Sequence, residues 1–163
     1  MSRPDADPEL FRQLLSRFAT GVTILTTRDG QGHPVGMTAS SLASVSLHPP
    51  LVSVCVDVSA DMHRALSASG DFVINILAAG QEPLSRRFAH EPAAGRFDGV
   101  AWRESPGGMV WLTEALAHVE CERFADFPLG DHTLFVGRVT GGATRDGEPL
   151  LYYRGDYGAL HRV

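Results

Sequence analysis

Residues 36–57 read GMTASSLASVSLHPPLVSVCVD, a run of small hydroxylated residues that passes through a Pro-Pro break into a strand. Val52, Val54, Val56 and Val58 fall on one side of that strand, and Leu51, Ser53, Cys55 and Asp57 on the other. The first face is core and the second is mixed. Each proline of His48-Pro49-Pro50 fixes its own φ and restricts the residue before it, so the chain is extended or turned there. The small residues upstream offer short hydrogen-bonding groups with little bulk. That composition suits a groove in which a planar, phosphate-bearing molecule lies against backbone.

Outward from this stretch, short elements and frequent turns dominate. Leu10, Phe11, Leu14, Leu15 and Phe18 recur at helical spacing with Pro8 at the start, which predicts an amphipathic N-terminal helix. Val22 to Thr27 is β-branched, and the Asp29-Gly30 pair marks a tight hairpin turn. Ser59 to Ser69 reads as a helix stopped by Gly70, Phe72 to Leu77 as a strand, and Gln81 to Ala89 as a short helix followed by a polar loop through Asp98. Ala117 to Phe124 and His132 to Val139 alternate, with a turn over Asp126 to Asp131 between them. Leu150 to Tyr153 and Tyr157 to Leu160 close the chain as strands. Many short strands with only three short helices predict a closed antiparallel barrel.

The 163 residues fit one domain over 9–163, with residues 1–8 a flexible N-terminus. A composition of 44% hydrophobic and 20% charged residues is that of an ordinary globular chain. The net charge of −5, with scattered arginines, argues against a nucleic-acid binder. No apolar run reaches bilayer-spanning length and no signal-peptide core is present, so the expected location is cytoplasmic, away from membranes. Cys55 and Cys121 lack metal-ligand spacing and read as buried reduced thiols, and no metal is expected. Nucleophile elbows, zinc-protease motifs, phosphate loops and dinucleotide fingerprints are absent. Any chemistry therefore belongs to a bound cofactor.

Five segments in order, FRQLLSRFATGVTILTT, GMTASSLASVSLHPPLVSVCVD, FVINIL, FPLGDHTLFVGRV and PLLYYRGDYGAL, resemble the short-chain flavin reductases, the reductase components of two-component flavin-dependent monooxygenases. The likeness covers residues 9 to 160. It implies a mainly β fold, the FMN-binding split β-barrel, antiparallel and Greek-key-like, with a few flanking short helices. It also implies an NAD(P)H:flavin oxidoreductase that moves a hydride from NADH or NADPH to FMN or FAD and supplies reduced flavin to a partner monooxygenase. Other readings of the same fold are a non-catalytic flavin-binding protein and a flavin-dependent reductase of another acceptor, such as a corrin cobalt or a ferric complex.

By the same resemblance, Met37, Thr38, Ala39, Ser40 and Ser41 pass along the flavin. Ser53, Cys55, Asp57 and Ser59 lie near the ring and the phosphate end, with Cys55 read as packing. Asn75 either bonds the flavin or makes a structural bond to a neighbouring loop. Ser85, Arg86, Arg87 and Phe88 stand at the phosphate. His132 positions the nicotinamide, and Tyr153 and Tyr157 stack on a nucleotide ring or cover a sheet edge. A homodimer with a shared site is expected.

Overall fold

The computed structural model describes residues 4–163. The chain opens with α1 (Pro8–Leu15), whose first turn is capped by the Asp7 carboxylate accepting the Glu9 and Leu10 amides. Of the N-terminus expected to be flexible, residues 1–3 lie outside the described residues, while Asp7 and Pro8 belong to this helix. Next come β1 (Thr20–Gly21), β2 (Thr23–Arg28), β3 (Pro34–Ala39), β4 (Ala43–Leu47), β5 (Pro50–Asp57), α2 (Asp61–Ala68), β6 (Asp71–Ile76) and α3 (Glu82–His90). The second half holds β7 (Trp102–Glu104), β8 (Val110–Leu112), β9 (Ala117–Leu129), β10 (His132–Thr144), β11 (Leu150–Tyr153) and β12 (Asp156–Ala159).

One antiparallel sheet of seven strands runs in the order β3-β2-β6-β9-β10-β5-β4. Where the sequence predicts closure, the ladder stays open: β3 and β4 follow one another in the chain yet form the two ends of the sheet. Residues 40–42 cross between those ends. A second sheet, β1-β11-β12, lies beside the first, and β7 pairs with β8.

β2 explains the two-layered core. Both of its faces are buried, because Leu25 packs with Val54, Val56, Phe72, Ile74, Cys121 and Phe135, while Val22 and Ile24 pack with Leu77, Phe88, Leu112 and Leu150. Met62 and Leu66 of α2 pack into the first cluster. Val54 and Val56 are fully buried, as the alternation requires, and Val58 is exposed where the strand has ended. A Cβ at Gly36 would collide with the ring of Phe88, so the glycine is what lets α3 settle on β3.

Two turns differ from the sequence reading. Asp29 begins a five-residue loop, 29–33, its carboxylate accepting the Gln31 and His33 amides, so no two-residue hairpin forms. The turn between β9 and β10 shrinks to Gly130-Asp131, with Gly130 at φ 64°. Pro128 is tolerated inside β9 because residues 125–129 pair on one side only, with β10. Beyond the polar loop that the sequence places through Asp98, β7 pairs with β8, a strand of three buried residues whose length gave no periodicity to read.

β8 is fixed by Asn75. Its amide nitrogen donates to the Ile24 carbonyl and the Thr26 hydroxyl, each at 2.9 Å, and its oxygen accepts the Leu112 amide at 2.9 Å. Of the two roles open to Asn75, the structural one is realised: it is fully buried and its amide serves protein. Asn75→Ala leaves the buried Leu112 amide without its acceptor and is expected to lower stability by about 2–4 kcal/mol. Urea unfolding followed by circular dichroism measures it.

Candidate functional site

The groove lies where the chain crosses between the ends of the sheet. It encloses about 660 Å³ and is lined by the β3-to-β4 segment Met37–Ala43, by Cys55, Asp57 and His132, and by Leu15, Phe18 and Thr20. Its size is that of an ordinary small-molecule site. Met37 and Thr38 are held from behind by β2, opposite Leu25 and Ile24. β5 and β10 bring Asp57 and His132 side by side as register partners. Leu15, Phe18 and Thr20 supply a wall that the sequence reading missed; the helical pattern of α1 showed an apolar face without showing what it borders.

The crossing is pinned by one side chain. Ser41 Oγ accepts the Cys55 amide at 2.9 Å and donates to the Cys55 carbonyl at 3.2 Å. Ser41 stands opposite Cys55 in the register that pairs Ala43 with Ser53, so its hydroxyl continues the β4–β5 ladder past the end of the strand. That hydroxyl is spent on protein. Cys55 is half-buried and Cys121 buried, and burial pushes the Cys121 thiol up to about 12, which keeps it protonated and inert.

At the other end, Asp57 accepts the Ser59 hydroxyl and the Ser59 amide, both at 2.7 Å. These two bonds, the hydroxyl first, hold its carboxyl below the usual range, and His132 and His63 reinforce the shift. The result is a fixed anion in the groove wall that accepts N–H or O–H donors. The Ser59 hydroxyl and amide both serve this carboxylate. Asp131 lies 2.6 Å from Nδ1 of His132 and sets the ring's orientation.

The remaining residues proposed from sequence do not line the groove. Ser53 is buried in β5 between Ala43 and Val136. Ser85 and Phe88 have no exposed surface, so neither reaches a phosphate in solvent. Arg86 is bound to the Glu82 carboxylate at 2.8 Å, and Arg87 donates to the Asp98 carbonyl at 2.7 Å beside a different cavity. Tyr153 is exposed at the end of β11, and the Tyr157 hydroxyl is 2.8 Å from Ser85 Oγ. α3 therefore acts as packing behind β3.

The lining tests which group the groove suits. Small side chains, an apolar wall and hydroxyl groups fit a flat ring with polar edges. A phosphate fits less well, since His132 is the sole basic side chain in the lining among the described residues.

Residues 15–161 match the family model for the flavin reductase like domain. The chain belongs to this flavin reductase family. It is 43% identical over 162 residues to an NADH-dependent flavin reductase from a Rhodococcus species, covering 96% of this chain and 89% of that one. It is 42% identical over 152 residues to the reductase subunit of a flavin-dependent monooxygenase from Rhodococcus jostii, covering 93% of this chain and 77% of the other. Among solved structures, an NADH:FAD oxidoreductase from Streptomyces globisporus, in complex with NAD and FAD fragments, superposes with a TM-score of 0.89 at 36% identity, covering 98% of each chain. The split-barrel architecture is thus the fold of this flavin reductase domain.

The Asp57–Ser59 bond has a pH signature. A carboxylate with a lowered folded pKa adds stability that is present above its unfolded value near 3.8 and is lost as pH falls through the folded midpoint. Ser59→Ala should move the Asp57 midpoint upward toward 3.8, as read by NMR titration of the side-chain carboxyl carbon.

Proposed function

We propose that this flavin reductase transfers a hydride from NADH to FMN or FAD bound in the groove between β3 and β4, and that it delivers the reduced flavin to a separate monooxygenase. The observation carrying this reading is the groove itself. Its donor and acceptor set fits a flat heterocycle, and its lining coincides with the segment along which the family resemblance places a flavin. The relatives named as NADH-dependent reductases and as a monooxygenase reductase subunit support the donor and the partner.

When bound, a flavin supplies the two-electron acceptor for the hydride. The chain's own residues do the rest. Ala39 and Ser40 keep bulk away from the backbone, which lets a ring approach it closely. Leu15 and Phe18 form an apolar wall that displaces water from one side of the groove. Asp57 holds a donor hydroxyl or N–H, and the Asp131-oriented His132 at the groove wall positions a second ring or its carboxamide. No side chain needs to give or take a proton in a hydride step. Rate comes from orientation, with reacting atoms held roughly 3–3.5 Å apart.

A second copy of the chain supports this site. Leu10, Phe11, Leu14 and Leu15 of α1, with Phe18 just past its end, are all 45–74% exposed in one copy, an apolar face without cover among the described residues. The groove in one copy also lacks an arginine or lysine for a phosphate among the described residues. A homodimer would cover the face and bring cationic side chains of the second copy to the site. Light scattering should give twice the 17.6 kDa chain mass; a 17.6 kDa species at micromolar concentration would contradict the shared site.

Function is tested by anaerobic stopped flow. Protein mixed with FMN or FAD and excess NADH should bleach the visible flavin band, and His132→Ala should raise the NADH concentration needed for half-maximal rate about tenfold. A flavin that binds yet stays oxidised under NADH would favour a non-catalytic carrier.

A further inference from the structure

Thr38, in the middle of the groove segment, has its hydroxyl proton committed. Oγ1 donates to the Ser85 carbonyl at 2.7 Å, across from β3 to α3. A hydroxyl has one proton and two lone pairs, so with that proton spent Thr38 offers the groove an acceptor only. The complementary ligand groups are the ring N–H and the ribityl hydroxyls of a flavin.

Ser85 is in turn held by a residue far away in sequence. Its fully buried Oγ lies 2.8 Å from the hydroxyl of Tyr157, on β12. The Tyr157 ring is fixed on two sides: it meets Tyr152 edge-on at 5.2 Å, and the Arg86 guanidinium covers it at 4.7 Å while Glu82 holds that guanidinium. β11, paired with β12, also pairs with β1, where Tyr152 stands opposite Thr20 of the groove wall. The C-terminal hairpin thus reaches the groove twice, through the β1 ladder and through Ser85.

Resting on the flavin reading above, we propose that Tyr157 is a positioning residue of the flavin site: acting through Ser85, it fixes Thr38 Oγ1 as an acceptor facing the groove. Tyr157 and Ser85 are outside the groove lining. Their effect passes through α3, whose Ser85 carbonyl must stay within reach of Thr38.

The test is a double-mutant cycle on the full chain, with FMN affinity measured by quenching of its fluorescence and thermal unfolding followed alongside. Tyr157→Phe keeps the ring and the cation–π contact but removes the hydroxyl, and it should weaken FMN binding about three- to tenfold. In a Thr38→Ala background the same change should leave affinity unaltered, because the two residues act as one unit. A merely structural Tyr157 would lower the unfolding temperature with no such coupling. Equal weakening in both backgrounds, or none in either, overturns the proposal. Should Tyr157→Phe fail to fold, Ser85→Ala breaks the same bond while keeping the carbonyl, and the same two outcomes apply. If the unaltered chain binds neither FMN nor FAD, the flavin reading falls and takes this proposal with it; FMN binding without coupling overturns the proposal alone.

Discussion

The site exists because two consecutive strands cannot pair. β3 and β4 stand at opposite ends of one seven-stranded sheet, so the three residues between them must cross the opening that the sheet leaves. Crossing backbone cannot take its hydrogen bonds from a neighbouring strand, and unmet polar groups are costly when buried. The same departure would strip Cys55 on β5 of its partners, and Ser41 answers the Cys55 N–H and carbonyl with its side chain. A hydroxyl doing the work of a peptide group extends the ladder while the chain turns away from it. The groove, its small-residue lining and the adjacency of Asp57 and His132 all follow from that crossing.

Charge then divides the groove's tasks. Asp57 is locked as an anion, His132 is oriented by Asp131, and the apolar wall comes from Leu15 at the end of α1 and Phe18 just past it. One copy therefore builds a good platform for a ring and a poor one for a phosphate. The uncovered face of α1 and the shortage of cations in the groove lining are the two observations behind the proposed homodimer.

The sequence was most informative where a pattern has a single structural meaning. The valine alternation of β5 and the helical spacing of α2 carried over, α1 formed but ended at Leu15 before Phe18, and the hydroxylated run at residues 38–41 does line the groove. Legibility failed where a polar residue's partner is set by tertiary contact. A buried asparagine in a strand announces that it needs partners but not whether they are protein or ligand, and Asn75 found them on β2 and β8. Of the α3 arginines read as phosphate ligands, Arg86 is taken by Glu82 in an i,i+4 contact that the sequence does carry, whereas the Asp98 carbonyl that takes Arg87 comes from the loop beyond the helix. Thr20 escaped notice because its place in the groove wall is set by the pairing of β1 with β11, a contact between distant parts of the chain.

In the proposed function, the crossing between β3 and β4 holds the flavin. Hydrogen exchange of the full chain with and without FMN tests it most directly. The account predicts that flavin slows exchange at residues 37–43, 55–57 and 132, with little change at the separate cavity of about 580 Å³ lined by Asp29, His33, Asp61, Arg64 and Phe97. Protection confined to that second cavity, with the crossing segment unchanged, would contradict it.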